Sequence, residues 1–227
     1  MRGSIVIPVL ASHEIVRRQL LWMSSWMEPF ADRWNLVLVD DGSEPEISIA
    51  PTTSHETILI RISPHPERWT QPRARNIGAR ACKNSQLLFF TDIDHILTPE
   101  ALADADSFRG DMLRFRRKPA FLDPSGKLHT KEDDLLNCGF SHSDLKCKST
   151  EHKATFVIRK SLHDQLGGFD ERFCGTYEPD DIDYSNRYEK MSTEGKCKPS
   201  EFSPSPIYVF PNPKDNHQGF FHPLPRS

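Results

Sequence analysis

The stretch Leu87-Leu88-Phe89-Phe90-Thr91-Asp92-Ile93-Asp94 is the most informative part of this 227-residue sequence. It opens with a run of residues typical of a strand that is covered on both faces. Two carboxylates then follow two positions apart, and successive side chains of a strand point to opposite faces. If the backbone stays extended, Asp92 and Asp94 therefore share one face of the strand.

This acid pair suggests a cation site. Two neighbouring carboxylates repel each other and need a proton or a cation between them. Hard divalent ions take oxygen ligands of this kind and leave coordination positions for phosphate oxygens. The pair thus suggests a metal that binds a diphosphate. The alternative, equally weighted on the pair alone, is two solvated acids that enter the turn before Thr98-Pro99.

The composition indicates a soluble globular protein and argues against several other classes. Hydrophobic residues make up 37% of the chain and charged residues 27%, and the formal net charge of -3 gives no basic field for nucleic acid. We expect no membrane span and no signal peptide, although peripheral association with a membrane stays open. The five cysteines form no CxxC pair, which predicts free thiols and a cytoplasmic location, with a zinc site as the alternative.

Strand and helix patterns alternate along the chain. The predicted strands are 4–9, 36–39, 58–62, 87–91, 154–158 and 207–210. The predicted helices are 14–27, one that follows residue 70, one that starts at 98, 161–166 and 184–191. This alternation favours one α/β domain with a mostly parallel sheet that has helices on both faces.

Two further segments carry expectations of their own. The helix after residue 70 has an apolar face at helical spacing, formed by Ala74, Ile77, Gly78 and Ala81. The polar segment 118–150 predicts an excursion over the active-site side with one short helix. A disordered insertion is the alternative for that segment.

Candidate ligand-binding residues gather at the predicted carboxyl ends of the strands. Pro8 lies at the end of the first strand, Asp40 and Asp41 follow the second, and Asp92 and Asp94 follow the fourth. Ligands of open parallel sheets bind at this edge, so the convergence favours the metal and diphosphate interpretation. The sequence has no GxGxxG and no GxxxxGK[ST] motif, so neither a dinucleotide fold nor a P-loop is supported.

A second acid pair comes before the helical run 184–191. Asp180 and Asp181 would fall in the first helical turn, where the helix dipole favours ionised carboxylates. One interpretation is charge capping of the helix. The other is a carboxylate base that faces the end of the sheet.

Taken together, these patterns resemble a family 2 glycosyltransferase with the GT-A fold. The motifs that carry the resemblance are Ser4-Ile5-Val6-Ile7-Pro8, Val39-Asp40-Asp41-Gly42-Ser43, Ala74-Arg75-Asn76-Ile77-Gly78, Thr91-Asp92-Ile93-Asp94, Leu166-Gly167-Gly168-Phe169-Asp170 and Asp180-Asp181. They occur in the family's order and spacing. Segment 178–187 is also similar to the acidic motif of animal β-1,4-galactosyltransferases. The resemblance implies a single GT-A domain with a nucleotide-sugar half (about 1–98), an acceptor half (about 99–210) and a tail (211–227).

The resemblance also implies roles on the donor side. The residues it places at the nucleotide are Pro8, Leu10, Asp40, Asp41, Arg73, Arg75 and Asp92. Pro8 and Leu10 would line the base, and Asp41 would accept a hydrogen bond from it. Arg75 would face the base or the phosphates, with Arg73 as a second candidate.

On the metal side, the resemblance implies a divalent cofactor, Mn²⁺ or Mg²⁺. Asp94 would be its carboxylate ligand, while Asp92 would contact the ribose or the sugar. Related enzymes often add a histidine from a C-terminal segment. His217 is the candidate here, and His222 is the alternative.

On the acceptor side, the resemblance implies that Asp181 is the catalytic base and that Asp180 helps to hold the acceptor. The family usually has Glu-Asp at these positions, and this chain has Asp-Asp. The acid doublet can also be taken as Asp181 and Asp183, so the base is uncertain by two residues.

The activity that follows is metal-dependent, inverting transfer of a sugar from a nucleotide diphosphate sugar to a hydroxyl of a glycan or glycolipid. UDP is the nucleotide that the resemblance favours. A sugar-nucleotide nucleotidyltransferase is an alternative, but segment 10–13 lacks the Gly-rich triphosphate loop. A catalytically silent sugar-binding module would be expected to lack Asp94 or Asp181, and both are present.

Overall fold

The computed structural model describes residues 2–49, 55–65, 67, 70–145, 151–176 and 179–211. The strands are β1 (Gly3–Val9), β2 (Trp34–Asp40), β3 (Thr57–Arg61), β4 (Leu87–Phe90), β5 (His95–Ile96), β6 (Met112–Pro119), β7 (Phe121–Leu122), β8 (Leu128–His129), β9 (Glu151–Arg159), β10 (Glu201–Phe202) and β11 (Ile207–Val209). The helices are α1 (His13–Ser24), α2 (Gln71–Ala81), α3 (Pro99–Ser107), α4 (Glu132–Asn137), α5 (Lys160–Gln165) and α6 (Pro179–Thr193). Two 3₁₀ turns are Glu28–Phe30 and Glu171–Phe173. None of the helices in this part of the chain is long and apolar enough to span a membrane.

The main sheet has the order β3-β2-β1-β4-β9-β6-β11-β5, and β10 pairs with β6. β3, β2, β1 and β4 are parallel, whereas β9 is antiparallel to both β4 and β6. β10 and β11 are parallel to β6, and β5 is antiparallel to β11. The predicted α/β class with a mostly parallel central sheet is therefore confirmed.

The central strands β1, β2 and β4 are buried on both faces because their side chains alternate between two cores. In β1, Ile5 and Ile7 pack into the core that holds apolar residues of α1 and α3. Val6 points the other way and packs with residues of α2 and α6. Strands β2 and β4 alternate in the same manner. This period of two explains why these strands are nearly continuous hydrophobic runs in the sequence.

Two predicted helices differ from the structure. Helix α1 ends at Ser24 rather than at residue 27, because the ring of Pro29 would clash with the carbonyl of residue 25 in a continued helix. In α2 the predicted apolar face is wrong at Ala81, which is exposed, while Arg75 and Asn76 are buried. The buried face of α2 therefore includes two polar side chains.

Residues 118–145, the described part of segment 118–150, form defined secondary structure and a small core. It contains the small β7-β8 hairpin and α4, which is the predicted short helix. Phe121, Leu135 and Phe140 are buried together in a separate small core with Ile15 of α1. Strand β6, which leads into this segment, was not predicted, because basic residues alternate with the apolar ones in its sequence.

Gly78 allows α2 to pack closely on β1. A Cβ atom at this position would lie 2.4 Å from Val6 Cγ1 and 3.1 Å from Val39 Cγ2. We therefore expect Gly78→Ala to lower the free energy of unfolding by about 1–3 kcal/mol through overpacking, as measured by urea denaturation. Adding Val6→Ala makes room, so the double variant should lose less stability than the sum of the two single losses. Strict additivity would contradict this account.

Candidate active site

The acid pair of the Leu87 segment lies in a turn and not on an extended strand. Strand β4 ends at Phe90, and the backbone N–H of His95 donates to the carbonyl oxygen of Asp92 at 3.0 Å. The expectation that Asp92 and Asp94 share one face of a continued strand is therefore wrong. The two carboxylates still lie at the carboxyl end of β4, where the sequence placed them.

Side chains and backbone groups from distant parts of the chain hold this turn. Gln19 of α1 donates its amide to the carbonyl oxygens of Ile93 at 3.0 Å and His95 at 2.9 Å. The N–H of Phe210 donates to the carbonyl oxygen of Asp94 at 3.0 Å. Because Gln19 is buried, these hydrogen bonds are shielded from water and fix the acids in place.

Arg75 of α2 joins the two acid pairs. Its Nη1 donates to Asp180 at 2.8 Å and to Asp181 at 2.6 Å, and its Nη2 donates to Asp92 at 2.7 Å. The Arg75 side chain is 0% exposed and lies 5.0 Å from the centre of the Phe169 ring. The predicted first-turn position of Asp180 and Asp181 is confirmed, and that position lets both acids reach Arg75.

The carboxyl groups of the site differ in the direction in which their pKa values are shifted. Burial works against ionisation of Asp92, but Arg75 and the nearby histidines hold the pKa of Asp92 below its ordinary value. Burial raises the pKa of Asp181 to about 7, and the like charges of its acidic neighbours act in the same direction. Burial, together with the charge of Asp92, raises the pKa of Asp94 to about 6.

Two histidines that the sequence analysis did not single out lie at the same place. Asp92, His95 and His152 each offer a ligand atom, and these atoms lie within 4.8 Å of one another. Within the described residues this is the only such group of three or more His, Cys, Asp or Glu side chains. His95 could have been noticed because it follows Asp94 directly. His152 is far away in the sequence and reaches the site only because β9 pairs with β4.

A second arginine also acts on this site. Arg117 of β6 lowers the pKa of Asp94 and of both histidines through its charge. Its Nε atom is buried and has no hydrogen-bond partner among the described residues. Arg117 was not predicted as a site residue, because a basic residue that alternates with apolar ones is expected to face solvent.

The acids at the end of β2 organise the protein itself. Asp40 is buried and accepts hydrogen bonds from the N–H of Ser43 at 2.8 Å and from Arg61 at 2.5 Å. Asp41 accepts from the N–H of Thr70 at 3.1 Å and also from the Thr70 hydroxyl. Asp40 thus shapes the loop after β2, while Asp41 fixes the start of α2 from a half-buried position.

The remaining predicted residues are spread around this edge. Pro8 is buried in β1 opposite Val39, and Leu10 follows at the strand end in a half-buried position. Arg73 lies in the first turn of α2 and donates to the carbonyl oxygen of Ser63 at 3.4 Å. Unlike Arg73, Arg75 has no exposed surface, so its observed partners are carboxylates of the protein. His217 and His222 lie outside the described residues.

Comparisons with known proteins agree with the predicted family. Residues 4–105 match the model for glycosyl transferase family 2. No curated protein sequence matches the chain. Among solved structures, S. aureus TarS 1–349 is similar with a TM-score of 0.58 and 15% identity, over 92% of this chain and 60% of that chain. The complex of TarS 1–349 with UDP has a TM-score of 0.57 and 16% identity, over 95% and 62% of the two chains.

A mannosyltransferase structure gives a similar result. The mannosyltransferase PcManGT from Pyrobaculum calidifontis, in complex with GDP-Man and Mn²⁺, has a TM-score of 0.60 and 15% identity, over 94% of this chain and 57% of that chain. The chain thus spans about three-fifths of the length of these proteins. The fold defines the class as GT-A. The match over residues 4–105 agrees with the family 2 glycosyltransferase resemblance that the motifs predicted.

Loss of Arg75 should leave three carboxylates, one buried and two half-buried, without their shared cation. We expect Arg75→Met to lower the free energy of unfolding by about 3–5 kcal/mol at pH 8. Arg75 lowers the folded-state pKa of all three acids, so these pKa values rise when Arg75 is removed. The loss should therefore shrink as pH falls towards 5, where the acids take up protons. Urea denaturation at both pH values measures this.

The matched control is Arg80→Met on the same helix. The Arg80 side chain is 65% exposed, and its closest carboxylate oxygen, on Glu171, is 3.9 Å away. This change should cost no more than about 1 kcal/mol at either pH. Equal losses for the two variants would show that Arg75 does not hold the acid cluster.

Proposed function

We propose that this protein is an inverting glycosyltransferase that moves a sugar from a nucleotide diphosphate sugar to an acceptor hydroxyl. The observation that carries the proposal is the set of acids formed by Asp92 and Asp94 after β4 and Asp181 in the first turn of α6. The buried Arg75 joins Asp92 to Asp181. The match to family 2 over residues 4–105 supports it.

The donor that we propose is a UDP-sugar, and the acceptor is a glycan or glycolipid. One similar structure contains UDP and another contains GDP-Man. The comparisons therefore support a nucleotide-sugar donor, but they do not select its nucleobase. We propose that Pro8, Leu10 and Asp41 lie at the nucleobase of the donor, and that Arg73 is the nearby cation. We also keep the division into a donor half (1–98) and an acceptor half (99–210). Cys82, Cys174 and Cys197 are free thiols, which supports the proposed reducing, cytoplasmic environment.

The charge of the site supports a divalent cation, Mn²⁺ or Mg²⁺. Four carboxylates (Asp92, Asp94, Asp180 and Asp181) interact electrostatically with two guanidinium groups (Arg75 and Arg117), which leaves two negative charges uncompensated when all are ionised. The residues therefore fit a divalent ion, and Asp94 is the ligand that the family resemblance implies. Such an ion supplies neutralisation of the charge that develops on the leaving diphosphate.

Asp181 is the residue that we propose as the general base. Its side chain is 16% exposed and its carboxylate is held by Arg75, so part of the side chain is accessible to an acceptor. The acceptor hydroxyl gives its proton to Asp181 while its oxygen attacks the anomeric carbon. The bond to the diphosphate breaks in the same displacement, which inverts the configuration. Asp183, the alternative base, is instead paired with Arg187 at 2.7 Å within α6.

The contact of Asp180 with the acceptor stays a prediction. Asp180 is 1% exposed and bonded to Arg75, so any effect on the acceptor would pass through the position of Asp181. The direct test of the proposed function is a screen of UDP-sugars and GDP-sugars with Mn²⁺ that scores hydrolysis and thermal stabilisation. Absence of binding and turnover with every donor would contradict the proposal.

Replacement of the base should separate catalysis from donor binding. Asp181→Asn keeps the size of the side chain but removes its ability to accept a proton. We expect turnover to fall by roughly 10²–10⁴-fold with donor affinity close to that of the wild type. Asp183→Asn is the matched control two residues further along α6, and it should retain most activity. Near-normal transfer by Asp181→Asn would refute the assignment.

The pH dependence of activity tests the same residue. The pKa of Asp181 is raised to about 7, so the carboxyl is protonated and inactive as a base below that pH. We expect kcat/KM to rise about tenfold per pH unit below pH 7 and to level off above it. The residual activity of Asp181→Asn should lack this acidic limb. An unchanged limb in that variant would assign the titration to another group.

A further inference from the structure

The group of Asp92, His95 and His152 has the features of a metal site that differs from the one implied by the family motif. His95 is the first residue of β5, directly after the turn that follows β4, and His152 comes from the start of β9. The three ligand atoms lie within 4.8 Å of one another. Asp94 is not one of the three residues.

The His95 ring is held in one orientation. Its Nδ1 lies 2.5 Å from the hydroxyl of Thr155, and both residues are buried. The carbonyl oxygen of His95 also accepts a hydrogen bond from Gln19. With Nδ1 engaged by Thr155, Nε2 is the ring nitrogen that remains for a metal. A hydrogen bond on the far nitrogen is the usual way in which a metal-binding histidine is oriented.

His152 faces both of the other residues. Its ring lies edge-on to the ring of His95, with the ring centres 4.6 Å apart. Its Nδ1 is 3.9 Å from Asp92 Oδ2, which is too far for a hydrogen bond. Two ligands that are each about 2.1 Å from one ion lie about 3.0–3.5 Å apart, so a small contraction would suit a shared ion.

We propose that Asp92, His95 and His152 bind the divalent cation of the transfer reaction, and that their two nitrogen ligands select Mn²⁺ and other transition-metal ions over Mg²⁺. This inference rests on the proposed function and takes the place of Asp94 and His217 as the predicted protein ligands. Three ligands from the chain leave coordination positions for diphosphate oxygens. Asp94 then lies beside the ion and contributes negative charge.

The chemistry of the ligands supports this selectivity. His95 and His152 each offer one ring nitrogen, and these atoms lie with a carboxylate oxygen of Asp92 within 4.8 Å of one another. Imidazole suits transition-metal ions, whereas Mg²⁺ is held by carboxylates, phosphates and water. A site of carboxylates alone would not make this distinction.

Cation binding to the full chain without nucleotide tests the inference. Electron paramagnetic resonance reports bound Mn²⁺ as loss of the signal of the free ion, and competition with Mg²⁺ gives the selectivity. We expect Mn²⁺ to bind at least about tenfold more tightly than Mg²⁺. His152→Ala should weaken Mn²⁺ binding by at least about tenfold. His142→Ala is the control, because His142 is exposed and paired with Glu132, and it should bind as the wild type does.

His95 needs a gentler change because it is buried. Thr155→Val keeps the shape of the side chain and removes the hydroxyl that orients the His95 ring. We expect Mn²⁺ affinity to fall by roughly 10–100-fold while the circular dichroism spectrum stays that of the folded protein. Co²⁺ absorption adds a second readout, since the visible band of the bound ion should change in His152→Ala and in Thr155→Val.

Two results would overturn the inference. One is Mn²⁺ binding by His152→Ala that equals that of the wild type, and the other is loss of Mn²⁺ binding by Asp94→Asn alone. Either result, with sugar transfer by the wild type, leaves the proposed function intact. The expected Mn²⁺ selectivity without transfer from any donor would instead contradict the proposed function and keep the metal site.

Discussion

The bonding of one guanidinium to three carboxylates is the constraint on which the site depends. Arg75 has no exposed surface and donates to Asp92, Asp180 and Asp181. A buried arginine with such partners is costly to break, because each freed charge would stay in a poorly solvated place. The planar fork of arginine reaches several acceptors at once, which the point charge of lysine cannot reproduce. Arg75 therefore fixes the turn after β4 relative to the first turn of α6.

Three residues within one turn of helix α2 connect different parts of the site. Arg75 joins the acids, and Gly78 brings the helix against β1. Between them, Asn76 donates to the carbonyl oxygen of Phe169 at 2.9 Å and accepts from the N–H of Phe169 at 2.8 Å. Because both hydrogen bonds go to backbone, Asn76 holds the loop before α6. The spacing Ala-Arg-Asn-Ile-Gly thus links the sheet, the loop and the acids through one short segment.

The elements whose burial follows a local periodicity could be predicted from the sequence. The features that depend on contacts between distant residues could not. Strands β1, β2 and β4 could be predicted because each is buried on both faces and is therefore a nearly continuous hydrophobic run. The turn after Phe90 was not, because its hydrogen bonds come from Gln19 and Phe210. His152 joins the site through strand pairing, which no pattern in its own segment reveals. The burial of Arg75 was also hidden, since a charged residue on a helix is normally read as exposed.

The sharing of Arg75 also explains how an acid beside an arginine can serve as a base near neutral pH. A carboxylate with an arginine of its own would have a pKa well below 4 and would hold a proton poorly. Here burial and the charges of Asp92 and Asp180 oppose the attraction of Arg75, so the pKa of Asp181 is raised to about 7. Arg75 fixes the position of Asp181 without fully neutralising it. The same contact therefore orients the base and leaves it basic enough to take a proton from an acceptor hydroxyl.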